Sequence, residues 1–220
     1  MAGVDEFVVA SFIRLDLGTL SLPSLLLSRI SFMHWFLLRF SLRRFLALHV
    51  LLWATLGVIN PTATQAQSGN GTPYSGTALA IPGTIQAEHF NLGGEAVAYH
   101  DTGASNLTAA FRTTEGVDID NCNDVGGGHY VSWIDSSEWL KYAVNVQTAG
   151  TYSLTARVAT VYAGKSFHVE VNGVNVSGAI AVPNTGGWET WWDVAVPNIT
   201  LSAGAQTMRI VMDRDRKSVV

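Results

Sequence analysis

The chain has 220 residues, of which 48% are hydrophobic and 14% charged, and it carries seven tryptophans; this excludes a disordered chain and suits one compact domain. Residues 1–66 hold 5 basic and 3 acidic side chains, leaving 8 basic and 14 acidic from residue 67 onward. An acidic body without a Lys/Arg stripe lacks the electrostatic footprint of nucleic-acid binding, and we expect no nucleic-acid partner.

The first 66 residues predict a leader with a signal peptide. An apolar run at 45–59 (FLALHVLLWATLGVI) follows Arg39, Arg43 and Arg44 and precedes the small-residue site at 64–66. The run is shorter than the roughly 20 apolar residues that a membrane-spanning helix needs. We therefore expect cleavage after residue 66, a secreted product and no membrane span after cleavage. An uncleaved membrane anchor is the alternative.

The sequence predicts two further boundaries, the start of translation and a linker. A leader starting at Met33 has ordinary proportions, so we expect translation to start there rather than at residue 1. Residues 67–80 (QSGNGTPYSGTALA) are rich in Ser, Gly, Asn and Thr and hold little apolar surface. They predict a short linker that does not order itself.

From Ile81 onward the sequence has the period of β-strands. Apolar and polar residues alternate over 140–146, 151–158, 167–171 and 208–212, with turn signals at 149–150, 172–173 and 184–187. Alternation of period two is typical of strands with one buried face. Many short strands separated by turns predict an all-β fold, a sandwich or jelly roll.

The sequence lacks the motifs of common catalytic sites. It contains no G-x-S-x-G nucleophile elbow, no H-E-x-x-H and no phosphate-binding glycine loop. Its acidic residues show no spacing that singles out a glycosidase pair, so solvated faces are the better interpretation. The single cysteine, Cys122, permits neither an intrachain disulfide nor a cysteine-built zinc site. These observations favour a binding protein over an enzyme.

Two tryptophans occupy positions where an aromatic side chain is unexpected. Trp139 has the parity of Lys141 and Asn145, which places it on the polar face of its strand, and Trp188 directly follows the turn at 184–187. Exposed aromatic rings beside hydrogen-bonding groups suit a pyranose ring. The alternative is that these rings fill a core or cap an edge of the sandwich.

The stretch from Ile81 to Asp213 resembles the family 6 carbohydrate-binding modules. The matching segments are IPGTIQAEHF (81–90), GGEAVAYHDT (93–102), GVDID (116–120), DVGGGHYVSWIDSSEWLKYAVNV (124–146), GTYSLTARVA (150–159) and VPNTGGWETW (182–191). Their number, order and spacing make the match specific. The resemblance implies a galactose-binding-like jelly roll that binds polysaccharide without catalysis and is appended to a secreted glycoside hydrolase.

The resemblance also implies where the sugar binds. The two rings of the family's principal cleft fall on Trp133 and Trp188, and a carboxylate falls on Asp120. A second cleft, present in some members, would use Trp139. The parity of Trp133 with Val131 leaves a core position open for that residue.

A structural calcium ion is a further expectation from the family. The matching positions are Gln86, Glu88 and Asp213, and the first two are expected to share one strand face by the period of two. The alternative is a pair of solvated polar residues on an edge strand.

The carboxyl end departs from the family pattern. The module, 81–214, lacks the last strand of the family, and residues 215–220 (DRKSVV) resemble a translated sequencing adaptor. We expect the missing strand to leave an unprotected sheet edge.

Three functions therefore compete. The first is a monomeric module that anchors a secreted enzyme to β-linked plant or algal glycan. The second is a fragment of a glycoside hydrolase whose catalytic domain lies elsewhere in the gene. The third is a surface adhesin with the same fold.

Overall fold

The computed structural model describes residues 11–18 and 69–213, apart from Ala104 and Gly127. Over these residues the elements are strands, with one turn of 3₁₀ helix at Ala87–His89. The strands are β1 (Phe12–Leu17), β2 (Leu79–Ile81), β3 (Gly83–Gln86), β4 (Tyr99–His100), β5 (Ile119–Asn121), β6 (His129–Val131), β7 (Trp139–Val146), β8 (Gly150–Thr160), β9 (Lys165–Val171), β10 (Val174–Asn175), β11 (Ile180–Val182), β12 (Gly187–Leu201) and β13 (Gly204–Met212).

Two sheets form a β-sandwich, which confirms the predicted fold class. One sheet has the order β12-β8-β1-β3, and the other has the path β10-β9-β13-β7-β2, with β11 on β9 and β4 on β7. Strands β5 and β6 form a separate two-stranded ribbon. The core between the sheets includes the fully buried rings of Tyr142 and Tyr152, one from each sheet.

The alternating segments form strands because alternate side chains can be buried together. In β7, Leu140, Tyr142 and Val144 are buried, whereas Trp139 and Lys141 are only half-buried. The four segments predicted from alternation lie in β7, β8, β9 and β13. The parity argument for Trp139 is therefore confirmed, because its ring lies on the face opposite the core.

Strand β1 comes from the segment that we assigned to the leader. It pairs antiparallel with both β3 and β8, with Ile13 opposite Ile85 and Ala156. Ile13 and Leu15 belong to the core. We expected a missing strand to leave an unprotected sheet edge. In the structure β1 lies between β3 and β8 and pairs with both, so these two strands do not present unpaired edges to each other.

The described part of the predicted linker, residues 69–80, also differs from the expectation. Thr72 and Leu92 form a backbone bridge, and the Tyr74 ring stacks on His89 with centroids 4.7 Å apart. Strand β2 begins at Leu79 and runs parallel to β7. This polar stretch has few apolar residues of its own, but the module supplies the surface on which it orders.

The rest of the predicted leader, including the apolar run 45–59 and residues 64–66, lies outside the described residues, as do residues 214–220. None of the described elements is a helix with the length and hydrophobicity to cross a bilayer.

Candidate functional site

The β5–β6 ribbon positions the carboxylate of Asp120. Asp120 lies directly opposite Tyr130, so both side chains project from the same face of the ribbon. Asp120 is half-buried, and its Oδ1 accepts a hydrogen bond of 2.7 Å from the backbone N–H of Asn121. The second carboxylate oxygen leaves capacity to accept a hydrogen bond from a ligand.

Trp188 lies at the start of β12 beside an aromatic cluster. The ring of Tyr130 meets that of Trp191 edge-on at 5.3 Å, and Trp188 packs against this cluster together with Cys122. Trp188 is half-buried, so part of its ring faces solvent. The edge of the sandwich thus supports the ring while leaving it accessible.

Tyr162 and Glu189 flank Trp188, and the sequence analysis missed both. The ring of Tyr162, 40% exposed, meets Trp188 edge-on at 5.5 Å. The Glu189 carboxylate accepts a hydrogen bond from the side-chain amide of Asn123. The position of Tyr162 in a turn before Gly164 is visible in the sequence and could have indicated an exposed ring. The hydrogen bond between Glu189 and Asn123 could not have been predicted, because these residues are far apart in the chain.

Trp133 has a strained backbone in the segment between β6 and β7. Its φ is +47°, a left-handed conformation that is a genuine outlier for a bulky residue. The residue is half-buried, and among the described residues no aromatic ring contacts it.

The structure brings two of the three predicted cleft residues to one cluster. Asp120 faces Tyr130, and Trp188 packs on the cluster that contains Tyr130. Trp133 follows two residues after Val131, the last residue of the same ribbon. No aromatic contact joins the two tryptophans, both of which are described residues, and Trp133 is not part of the cluster around Tyr130.

Trp139 lies on the outer face of the larger sheet, among cations and histidines. The Lys141 Nζ lies 4.8 Å from its ring centroid, the Arg209 Cζ lies 5.5 Å away, and the His100 ring lies at 6.3 Å. Burial, together with the nearby Arg209, lowers the pKa of Lys141. The result is a half-buried aromatic ring with hydrogen-bond donors around it.

Asp213 begins a series of contacting polar side chains on this face. One of its carboxylate oxygens contacts Ser166 Oγ at 2.8 Å, and the other contacts His168 Nδ1 at 2.7 Å. On the other side of the imidazole ring, His168 Nε2 lies 3.3 Å from Glu170, which also binds Arg209. Asp213 is therefore engaged on β9, at the outer face of the sheet.

The predicted calcium ligands Gln86, Glu88 and Asp213 lie at the end of β3, in the 3₁₀ turn and directly after β13, and the calcium site stays a prediction. Strand β3 ends at Gln86, whose side chain is exposed, and the 3₁₀ turn then buries Glu88. The change from strand to 3₁₀ helix breaks the period of two on which the shared face depended. Over 11–18 and 69–213, no group of three or more His, Cys, Asp or Glu residues could hold a metal ion.

Glu88 is nevertheless an unusual carboxylate. It is 4% exposed, its Oε2 has no hydrogen-bond partner, and His89 Nε2 lies 3.9 Å from its Oε1. Burial raises the pKa of Glu88 to about 7, against a partial opposing effect of a backbone hydrogen bond. An unpartnered buried oxygen of this kind can bind either a proton or a cation.

Comparison with known proteins gives these residues a context. The family model for "Carbohydrate binding module (family 6)" matches residues 108–220. The clotting factor G alpha subunit of Tachypleus tridentatus is 30% identical over 100 residues, which is 44% of this chain and 15% of that protein. A mannan endo-1,4-beta-mannosidase of Thermothelomyces thermophilus is 27% identical over 112 residues, 50% of this chain and 22% of that protein. The chain thus spans less than a quarter of either relative.

A solved structure is also similar to the chain. It is the module CBM6cm-2 of lichenase 5A from Cellvibrio mixtus in complex with cellotriose, 37% identical, with a TM-score of 0.42 over 45% of this chain and 78% of that one. The family match itself extends over Asp120, Trp133, Trp139 and Trp188, all of which lie within 108–220. A match over more than half of the sequence, on a chain that folds as a β-sandwich, identifies this protein as a member of family 6 of the carbohydrate-binding modules, which bind carbohydrate and are not catalytic.

Proposed function

We propose that Trp133, Trp188 and Asp120 form the principal sugar cleft and that its ligand is a β-linked glycan of plant or algal origin. The observation that carries this proposal is the left-handed backbone of Trp133, with φ +47°. A tryptophan in this conformation costs stability that a glycine would not, and strain of this kind clusters at ligand sites.

The chemistry of the three residues suits a pyranose ring. Two indoles stack on the apolar faces of a sugar, while a carboxylate accepts hydrogen bonds from its hydroxyls. The mannosidase relative is named for a β-1,4-linked substrate, which supports a β-linked ligand. The four-ring neighbourhood of Tyr130, Trp188, Trp191 and Tyr162 gives Trp188 a rigid support.

An array of purified oligosaccharides tests the ligand class. The full chain is expected to bind one class among xylan, β-glucan, mannan and agar fragments, and the double variant Trp133→Ala/Trp188→Ala is expected to bind none. Trp192→Ala is the matched control, because Trp192 is 50% exposed on β12 but lies outside the cluster around Tyr130. Equal retention by the double variant and by the control would refute the cleft.

A second sugar site is proposed on the outer face at Trp139. The half-buried ring is bordered by Lys141, Arg209 and His100, and the hydrogen-bonding groups of His168 lie on the same face. A binding isotherm with two sites for the intact chain and one for Trp139→Ala supports it. An isotherm that Trp139→Ala leaves unchanged contradicts it.

The module is further proposed to belong to a secreted glycoside hydrolase and to hold that enzyme, as a monomer, on its substrate. Its match to one part of a mannosidase supports this assignment over a free adhesin. Sequencing of the gene on both sides of this reading frame tests for a hydrolase domain. Amino-terminal sequencing of the exported product tests cleavage after residue 66.

Calcium is proposed as a stabilising ion with Glu88 as its main protein ligand. Its buried Oε2 lacks a partner, which fits a hard cation, whereas the exposed Gln86 and the engaged Asp213 do not complete a site as they stand. When bound, the ion would supply charge compensation to Glu88 and would take no part in chemistry. Melting with calcium and with EGTA tests this, and equal melting temperatures would refute it.

A further inference from the structure

The slot between β3 and β8 is filled by a strand from a part of the chain remote in sequence. Leu15 lies opposite Gly83 on one side and Leu154 on the other, and both ladders are antiparallel. Sixty-one residues, 18–78, separate the end of β1 at Leu17 from the next described strand, which starts at Leu79. Without β1, facing edges of both neighbours would lose their backbone partners.

The side chains of β1 fit the slot by alternation. Ile13 and Leu15 are 0% and 2% exposed, whereas the charged Arg14 and Asp16, each directly after one of them, are exposed and pair with each other at 2.7 Å. The pattern places one face in the core and the other in solvent. An extended segment with apolar residues at the positions of 13 and 15 would satisfy the same requirement.

The backbone bonds extend one residue beyond each end of the strand. The N–H of Ala87 donates to the carbonyl of Ser11 at 3.2 Å, and the N–H of Gly18 donates to the carbonyl of Thr151 at 2.8 Å. The slot therefore accommodates the eight residues 11–18. These bonds recognise an extended backbone of this length independently of its side chains.

One wall of the slot has a support that does not involve β1. Strand β8 pairs with β12 from Gly150 to Thr160, and Ile85 of the other wall belongs to the core shared with the larger sheet. The slot is thus bordered by β8, which is paired with β12 on its other edge, and it lies over buried apolar side chains of the core. Strand β8 therefore keeps a ladder partner when β1 is absent, whereas β1 is the only ladder partner of β3 among the described strands.

We propose that the groove between β3 and β8 is a strand-acceptor site and that, in a chain translated from residue 1 rather than from Met33, residues 11–18 occupy it as a separable segment. Recognition combines the two antiparallel ladders with burial of Ile13 and Leu15. The slot differs from both proposed sugar sites in position: Trp188 lies on β12, on the far side of β8, and Trp139 lies on β7 of the larger sheet.

The test uses the full chain carrying Leu15→Asp, which places a charge in the apolar floor. We expect a lower melting temperature than for wild type or for Asp16→Ser, the exposed control. A synthetic peptide of residues 11–18 added in excess is expected to bind the Leu15→Asp chain one to one and to raise its melting temperature with peptide concentration. A peptide carrying Ile13→Asp and Leu15→Asp is expected to do neither. A folded Leu15→Asp chain that ignores the wild-type peptide would overturn the proposal.

A second measurement covers the case in which Leu15→Asp does not fold. A specific protease site is inserted after residue 19 of the otherwise wild-type chain, and the chain is cut after folding. The short fragment is expected to co-elute with the remainder on gel filtration, and an excess of the synthetic 11–18 peptide is expected to displace it while the larger fragment keeps its β-sheet circular dichroism. A short fragment that the peptide cannot displace unless the larger fragment unfolds would equally overturn the proposal.

Discussion

The Oδ1 atom of Asp213 lies 2.7 Å from Nδ1 of His168, and the Oε1 atom of Glu170 lies 3.3 Å from the other ring nitrogen of the same histidine. His168 is thus held between two carboxylates on the outer face of the larger sheet. Asp213, which is also a predicted calcium ligand together with Gln86 and Glu88, orients this imidazole in the structure.

Asp213→Asn tests this role. The substitution keeps the size of the side chain but weakens its charged hydrogen bonds to His168 and Ser166, and we expect a loss of roughly 1 to 3 kcal/mol in the free energy of unfolding. Thermal melting with calcium and with EGTA measures it. We expect the difference between the two melting temperatures to be that of wild type; its disappearance would return Asp213 to the metal site.

Trp133→Ala and Trp188→Ala should each weaken glycan binding by about 1 to 3 kcal/mol, or about 5-fold to 150-fold in Kd, because each removes a stacking surface. Titration calorimetry with the best oligosaccharide from the array measures the loss. Trp192→Ala should bind as wild type does. Trp133→Gly should also relieve the left-handed backbone strain at this position. We expect this variant to bind glycan as poorly as Trp133→Ala does and to have a melting temperature no lower than that of Trp133→Ala.

Glu88→Gln separates the electrostatic effect of this residue from its packing. In EGTA at pH 8 the variant should be more stable than wild type, since it no longer buries an unpaired charge. In calcium the order should reverse, because only the carboxylate gains from the ion, by about 2.7 kcal/mol at a hundredfold excess over Kd. Urea unfolding in both buffers measures the two differences. A variant that is destabilised equally in both would show a packing role alone.

The pH dependence of stability should follow the four carboxyls whose pKa values burial raises, Glu88, Asp101, Asp118 and Glu138. Burial raises the pKa of Glu88 from 4.5 to about 7, and burial with the nearby Glu138 raises that of Asp101 from 3.8 to about 7. At pH values between the ordinary and the raised pKa of these groups, the folded chain binds more protons than the unfolded chain. Without calcium, the free energy of unfolding therefore falls as the pH rises from about 4 to about 7. For Glu88 alone the expected loss is on the order of 3 kcal/mol.

An opposite trend below this range should produce a stability maximum. The hydrogen bonds from Arg157 to Asp124, at 2.7 and 2.8 Å, lower the pKa of Asp124 below 3.8. The stability that this pair contributes is present above that value and is lost as the pH falls through the lowered pKa. Urea unfolding from pH 3 to pH 8 should therefore show a maximum near pH 4 to 5, and Glu88→Gln should flatten its alkaline side.

The strands of the two sheets were predictable because their period is local. Alternation fixed which side chains of β7 face the core, and it placed Trp139 on the opposite face, as the structure shows. Local period could not reveal that the chain leaves strand geometry after Gln86, since the 3₁₀ turn depends on contacts with the rest of the module. The predicted shared face of Gln86 and Glu88 failed for this reason.

The site was predictable only in part, since its geometry depends on contacts between distant residues. The sequence indicated Trp188 and Asp120, but Tyr130, which links them, became apparent only from the pairing of β5 with β6. The strained φ of Trp133 also has no signature in the surrounding sequence. Strand β1 was missed because its six residues were attributed to a leader, and only their tertiary pairing distinguishes them.

Strand β1 comes before the predicted signal sequence in the chain, so export by that signal would determine whether β1 stays with the module. Residues 12–17 precede the apolar run at 45–59, and the sheet that they complete follows it. If that run enters a membrane as a signal sequence, the two parts begin on opposite sides of the bilayer, and cleavage after residue 66 separates them for good. A given molecule can therefore either complete its smaller sheet with β1 or be exported by that signal, and the module found outside the cell would present an open slot between β3 and β8.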